Sequence, residues 1–137
     1  MENPVSILND QEALERLQSI SLGRVVVRRS DDMDIFPVNY VVDEGNIYIR
    51  TAEGNKLFSI NLNHDVLFEA DEVKDGAAWS VVIKGNAEIV KNLDEIAHAD
   101  TLELKPWIPT LKYNYVRIVP TSISGRAFQL GEEPERY

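Results

Sequence analysis

Short apolar runs with a side-chain period of two, each closed by a polar turn, recur from Arg24 to Phe128. Such a run buries one face of an extended strand, whereas a helix needs apolar residues three and four apart over several turns. Only short stretches meet the second condition, so the chain reads as mainly β. Arg24-Val25-Val26-Val27-Arg28-Arg29 is β-branched and strand-like. Ser30-Asp31-Asp32-Met33 turns into a second strand over residues 34–42, where Pro37 predicts an edge position or a bulge, because proline gives the ladder no donor. Asp43-Glu44-Gly45-Asn46 is a hairpin turn into Ile47-Tyr48-Ile49-Arg50-Thr51, completing a three-stranded antiparallel meander.

Further on, Asn63-His64-Asp65 leads into a strand over residues 66–73. Residues 79–90 are the longest strand candidate, with Gly85 placed where a bulge or a close backbone approach would put it. Residues 113–119 and 122–128 read as strand, interrupted at Pro120. Three helices fit the remaining pattern. Asn9 and Glu12 form a capping-box pair ahead of Leu14, Leu17 and Ile20, with Gly23 as the stop. Residues 56–62 carry Leu57, Ile60 and Leu62 near helical spacing, and Asn92 opens a helix with Ile96, Ala99 and Leu102, ended by Pro106. About six strands with short helices at the joints favour a small antiparallel barrel whose open ends the helices cap.

At 137 residues the chain fits one domain, residues 1–137, a size that buries roughly two thirds of the surface exposed by its unfolded form. Cysteine is absent, which excludes disulfides, thiolate metal sites and cysteine nucleophiles. Fourteen Lys and Arg against 23 Asp and Glu give a net charge of −9, so nucleic acid and anionic membranes are poor partners. The first residues lack a basic n-region with a long apolar stretch, and no apolar run approaches the ~18 residues of a membrane span. A soluble cytoplasmic protein is expected.

Against this acidic background the corner after Ile49 stands out. Arg50 and Thr51 end a strand, Ala52-Glu53-Gly54-Asn55 turns the chain, and Lys56-Leu57 opens the helical stretch. A planar guanidinium, a hydroxyl, a mobile ammonium and the free N–H groups of a helix start suit a phosphate monoester. The competing reading of Arg50 and Lys56 is a pair of solvated surface cations, their usual state. His64 and His98 have no second ligand at metal spacing, so no metal site is expected. No nucleophile elbow, P-loop or dinucleotide fingerprint occurs, and no catalytic residue can be singled out. A phosphate corner without catalytic machinery is what a protein needs when a bound cofactor carries the reaction.

Leu22-Gly23-Arg24-Val25, Phe36-Pro37-Val38-Asn39-Tyr40, Ile49-Arg50-Thr51, Gly54-Asn55-Lys56-Leu57, Val66-Leu67-Phe68-Glu69, Trp79-Ser80-Val81 and Pro106-Trp107 follow one another at characteristic spacings. Val116-Arg117-Ile118-Val119-Pro120 and Gly125-Arg126 complete the series. In this order they resemble the FMN-binding split-barrel family related to pyridoxamine 5′-phosphate oxidase, and are similar to its short bacterial members grouped with nitroimidazole-resistance proteins.

The resemblance implies a six-stranded antiparallel split β-barrel and a homodimer with FMN at the subunit interface. Arg50, Thr51 and Lys56, with Asn55 and Leu57 of the same turn, would hold the phosphate. Pro37, Val38, Asn39 and Tyr40 would run beside the isoalloxazine, offering backbone groups. Trp79, Ser80 and Trp107 would complete the site, some from the partner subunit, although both tryptophans also suit an ordinary core or interface. The implied activity is an oxidoreductase acting on a small organic molecule. A non-catalytic flavin-binding or storage protein, or a deazaflavin-dependent reductase, are the alternatives. Residues 125–137 contain no His, and Arg50 stands where nitroimidazole-resistance proteins often carry one; pyridoxal phosphate synthesis and nitroimidazole reduction are therefore not expected.

Overall fold

Strands alternate with two helices in the order β1 (Val5–Leu8), α1 (Asp10–Gln18), β2 (Leu22–Arg29), β3 (Asp32–Asp43), β4 (Asn46–Ala52), β5 (Asp65–Lys74), β6 (Ala77–Ile89), α2 (Leu93–Asp100) and β7 (Tyr113–Gln129). The structure, a computed structural model, describes residues 3–29, 31–52, 64–104 and 113–132. The expected helix over residues 56–62 and the Pro106-Trp107 segment lie outside the described residues.

The strand order is β1-β7-β4-β3-β2-β5-β6, and β6 also bonds to β7. That last pairing closes β2 to β7 into the expected six-stranded antiparallel ring, which removes most free edges. β1 is an addition that the pattern did not reveal. It pairs outside the ring with the end of β7, Val5 opposite Phe128 and Leu8 opposite Gly125, and its Ile7 is 84% exposed, so it carries no one-sided apolar signal.

β7 runs unbroken through Pro120, where the sequence suggested an interruption. The reason lies across the ladder. Lys84 pairs with Ser122 and Gly85 with Pro120, so Thr121 is the extra residue of a bulge, and its hydroxyl donates to the Lys84 carbonyl at 3.0 Å. The bulge foreseen at Gly85 thus absorbs the proline. A Cβ at Gly85 would stand 2.6 Å from the Val119 carbonyl oxygen, closer than a side chain tolerates.

Inward residues of the ring form the main core, with Val25, Ile47, Phe68, Val81, Ile83 and Ile118 all fully buried. Each such side chain contributes about 1.5–3 kcal/mol on burial. α1 begins with the capping box read from the sequence, Asn9 accepting from the Glu12 amide and Glu12 from the Asn9 amide. It lays Ala13 and Leu17 into the same core. It stops at Gln18, short of Gly23, which lies in β2 where a Cβ would meet the Phe68 ring at 2.7 Å. α2 corrects a second expectation, because it does not cap a barrel end. Its buried Ala99 joins Tyr48, Val90, Leu104 and Tyr115 in a separate cluster. Both tyrosines belong to β4 and β7 and face away from the main core, and α2 covers them. β4 is therefore buried on both faces.

Candidate functional site

β3 and β4 pair only from Tyr40 opposite Ile49 to Asp43 opposite Asn46. Beyond Tyr40 the strands part: β3 stays bonded to β2 through residues 32–39, and β4 stays bonded to β7, Arg50 opposite Tyr115 and Ala52 opposite Tyr113. The facing edges of Pro37-Val38-Asn39 and Arg50-Thr51-Ala52 thus bound a split in the sheet. Pro37 lies outside the β3–β4 ladder, where its missing donor costs that ladder no bond.

The two segments picked out by sequence meet here, but their side chains divide between the two faces. Val38 and Tyr40 point into the core, 4% and 2% exposed, and contribute only backbone to the outside. The Tyr40 hydroxyl donates to the Leu17 carbonyl at 2.7 Å, its ring meets Phe68 edge-on, and burial raises its pKa, so it stays protonated. Pro37 and Asn39 face outward. Beside Asn39 lies a groove of about 380 Å³ lined by Ser21, Asn39, Tyr40, Val41, Glu103 and Leu104.

On β4, Thr51 points inward with Ile47 and Ile49 and is 4% exposed, while Arg50 points outward with Tyr48. Alternation separates them, and only at the strand's edge can one ligand reach both. Each carries a buried polar atom without a protein partner, Arg50 Nε and Thr51 Oγ1. A buried polar group normally finds a partner, and leaving one unpaired costs about 1–3 kcal/mol. The Arg50 guanidinium lies 3.6 Å from the centroid of the Tyr113 ring. Among the described residues no carboxylate pairs with it. Asn55, Lys56, Leu57 and Trp107 fall outside the described residues.

Trp79 is 6% exposed within the main core, its indole N–H donating to Glu72 at 3.4 Å. Ser80, the next residue, faces the outside. There, Pro37, Arg24, Glu69 and Val82 are successive register partners across β3, β2, β5 and β6, so they share one row of the outer face. Ser80 lies two residues from Val82, on β6, three strands round the ring from Pro37 on β3. The row holds a charged cluster that sequence reasoning gave no role. Arg24 Nη1 lies 2.6 Å from Glu69 Oε1 and 3.4 Å from Asp71 Oδ2. Burial first, then the hydrogen bond and charge of Asp71, push the Glu69 carboxyl up to about 7 despite the pull of Arg24. Arg24 and Glu69 are 45 residues apart, and no local pattern announces their pairing.

Elsewhere each of the two histidines makes a side-chain contact within the described residues. His64 Nδ1 lies 3.0 Å from the Ala87 carbonyl, and His98 on α2 pairs with Asp43 at 2.7 Å. Among the described residues no helix is long and apolar enough to cross a membrane.

A closed antiparallel ring with a split between two strands defines a split barrel, and the polar atoms without partners at the split mark the candidate site. The sequence profile described as pyridoxamine 5′-phosphate oxidase matches residues 9–127, and the chain belongs to that family. It is similar to a Corynebacterium glutamicum protein of known crystal structure named as a candidate pyridoxamine 5′-phosphate oxidase. The two are 83% identical, with a TM-score of 0.91 over 97% of this chain and 99% of the other. An FAD-binding protein from Mycobacterium smegmatis is 41% identical, with a TM-score of 0.81 over 92% of this chain and 100% of its own. A Bacteroides thetaiotaomicron protein described as a candidate for 5-nitroimidazole resistance shares the fold at 15% identity and a TM-score of 0.72, covering 95% of each chain. The relatives support flavin binding as a property of this group.

Proposed function

We propose that this chain is a cytoplasmic FMN-dependent oxidoreductase acting as a homodimer on a small organic molecule. The observation that carries the reading is the pair of buried, unpartnered atoms Arg50 Nε and Thr51 Oγ1 at the β3–β4 split. A phosphate at that edge would accept from both, and Lys56, four residues past β4, adds a second cation. The backbone of residues 37–40 would flank the ring system, with Tyr40 locked by Leu17 so that this edge keeps its shape. When bound, the flavin supplies the hydride and electron chemistry, and the protein supplies orientation and charge.

Dimerisation draws support from the outer face beside this site. Ile35, Val26 and Leu67 are register partners in the row next to Pro37, Arg24 and Glu69. Ile35 and Met33 are 63% and 62% exposed, and Leu67 and Val82 are more than a third exposed. Exposed apolar side chains at neighbouring positions of β3, β2 and β5 call for a cover. A second copy of this chain is the cover we propose. FAD is the second reading for the cofactor, favoured by the FAD-binding M. smegmatis relative at 41% identity.

Titration of the purified protein with FMN and FAD, with sedimentation of the loaded sample, tests ligand and assembly together. FMN is expected to bind a dimer, and Arg50→Ala with Lys56→Ala to weaken it on the order of a hundredfold, as for two lost charge-assisted contacts. Unchanged affinity would remove the assignment. The loaded protein is then mixed anaerobically with reduced nicotinamide. Bleaching faster than free FMN supports an enzyme, whereas bleaching no faster across a panel of donors leaves a binding or storage protein.

A further inference from the structure

The guanidinium at the split is supported in an unusual way for so acidic a chain. Arg24 is neutralised by Glu69 and Asp71, and Arg117 by Glu88 and Glu95. Arg50 instead lies over an aromatic ring, its Cζ 3.6 Å from the Tyr113 centroid. A ring face attracts a cation through its quadrupole but leaves its positive charge uncancelled and its in-plane N–H groups free. A carboxylate in the same place would hold the side chain equally well and would cancel the charge that an incoming anion needs.

The ring is itself held. Tyr113 and Tyr115 meet edge-on at 5.5 Å between centroids, and the Tyr115 hydroxyl donates to Asp100 at 2.6 Å. Asp100 is the last residue of α2, and Tyr115 is buried in the cluster that α2 covers. A continuous set of contacts therefore runs from α2 through Tyr115 and Tyr113 to Arg50. This gives α2, which supplies no residue to the split, a task there.

We infer that Tyr113 is a positioning residue for anion recognition: it preorganises the Arg50 guanidinium for the ligand's phosphate while keeping its charge available. The inference rests on the phosphate-binding reading of the split given above. It goes beyond that reading by assigning the support of Arg50 to a residue 63 positions away, on another strand.

The test compares FMN with riboflavin, which has the same ring system and no phosphate, on wild type, Tyr113→Phe and Tyr113→Leu. Each variant is first checked for unchanged near-ultraviolet dichroism and sedimentation. Wild type should bind FMN more tightly than riboflavin. Tyr113→Leu, which removes the ring face, should weaken FMN binding about fivefold to thirtyfold, the range for a partly to fully desolvated cation–π contact, and leave riboflavin within about twofold. Tyr113→Phe keeps the ring face and should restore FMN affinity. Equal loss for riboflavin would overturn the inference, because Tyr113 would then be a wall of the ring pocket. Equal loss in Tyr113→Phe would overturn it as well, assigning the effect to the hydroxyl. A wild-type protein that binds both ligands equally would remove the phosphate site itself, an outcome visible before any variant is made.

Discussion

Replacing Glu69 with Gln should make the protein more stable above neutral pH. One guanidinium, Arg24, faces two carboxylates, and the Glu69 carboxyl, desolvated and hydrogen-bonded to Asp71, is pushed up from 4.5 to about 7. The folded state therefore holds this proton more tightly than the unfolded chain does. Its stabilising contribution is complete below pH 4.5 and is lost as pH rises through about 7. At about 1.4 kcal/mol per tenfold change in proton affinity, the rise corresponds to about 3 kcal/mol. The Glu69 side chain is 30% exposed, and screening by water reduces the effect to about 1–2 kcal/mol. Gln has the same shape, accepts from Arg24 through its oxygen and donates to Asp71 through its amide, as the protonated carboxyl does. Urea unfolding followed by tryptophan fluorescence should therefore show Glu69→Gln more stable than wild type by about 1–2 kcal/mol at pH 8, with the gap narrowing towards pH 5.5. A variant less stable than wild type at pH 8 would refute the reasoning. The ionised Arg24–Glu69 pair would then outweigh the cost of burying a second carboxylate beside it.

Two further outcomes follow from the fold. Gly85→Ala places a methyl 2.6 Å from the Val119 carbonyl and 2.9 Å from the Ile118 side chain, and should cost about 2–3 kcal/mol, or about 10 °C in Tm; an unchanged melting temperature would show that the bulge yields freely. His98 is raised above its ordinary value by its hydrogen bond to Asp43 and by that residue's charge. Its contribution is thus present below about pH 6.5 and lost as pH rises through the raised value. The Tm difference between wild type and His98→Ala should be larger at pH 6 than at pH 9, and a constant difference would refute the linkage.

The identity of β2 to β7, the meander of β2 to β4, the Gly85 bulge and the capping box of α1 were legible because each rests on a local rule: period two, a Gly-containing turn, a glycine inside a strand, an N-cap three residues from a glutamate. The separation of Arg50 from Thr51 was equally local, since strand neighbours point to opposite faces, yet the corner read as one crowded cluster. What could not be read were partnerships across the ring. Nothing near Tyr113 marks it as the platform for Arg50, and nothing near Arg24 announces Glu69. The position of α2 was hidden for a related reason. Its apolar stripe specifies that it must pack, and the outward tyrosines Tyr48 and Tyr115, which decide where, lie on strands that meet only in the closed barrel.

The split itself follows from how the ring closes. Pairing β6 with β7 satisfies edges that an open sheet would expose, but β3 and β4 separate after Tyr40 and Ile49 and leave two short edges facing each other. Unpaired edges invite association with any extended chain, and proteins blunt them with prolines and charges. Pro37 on one edge and Arg50 on the other fit this pattern, and in the proposed reading both belong to the ligand site. Proline removes the donor that would recruit a strand, and a guanidinium with no carboxylate partner among the described residues repels cations. Under the function proposed above, the features that keep a peptide from completing the sheet are the ones that would favour a small phosphorylated ligand in its place. A residue that improved strand pairing here, such as Val at position 37 or 50, would close the barrel further at the expense of the site.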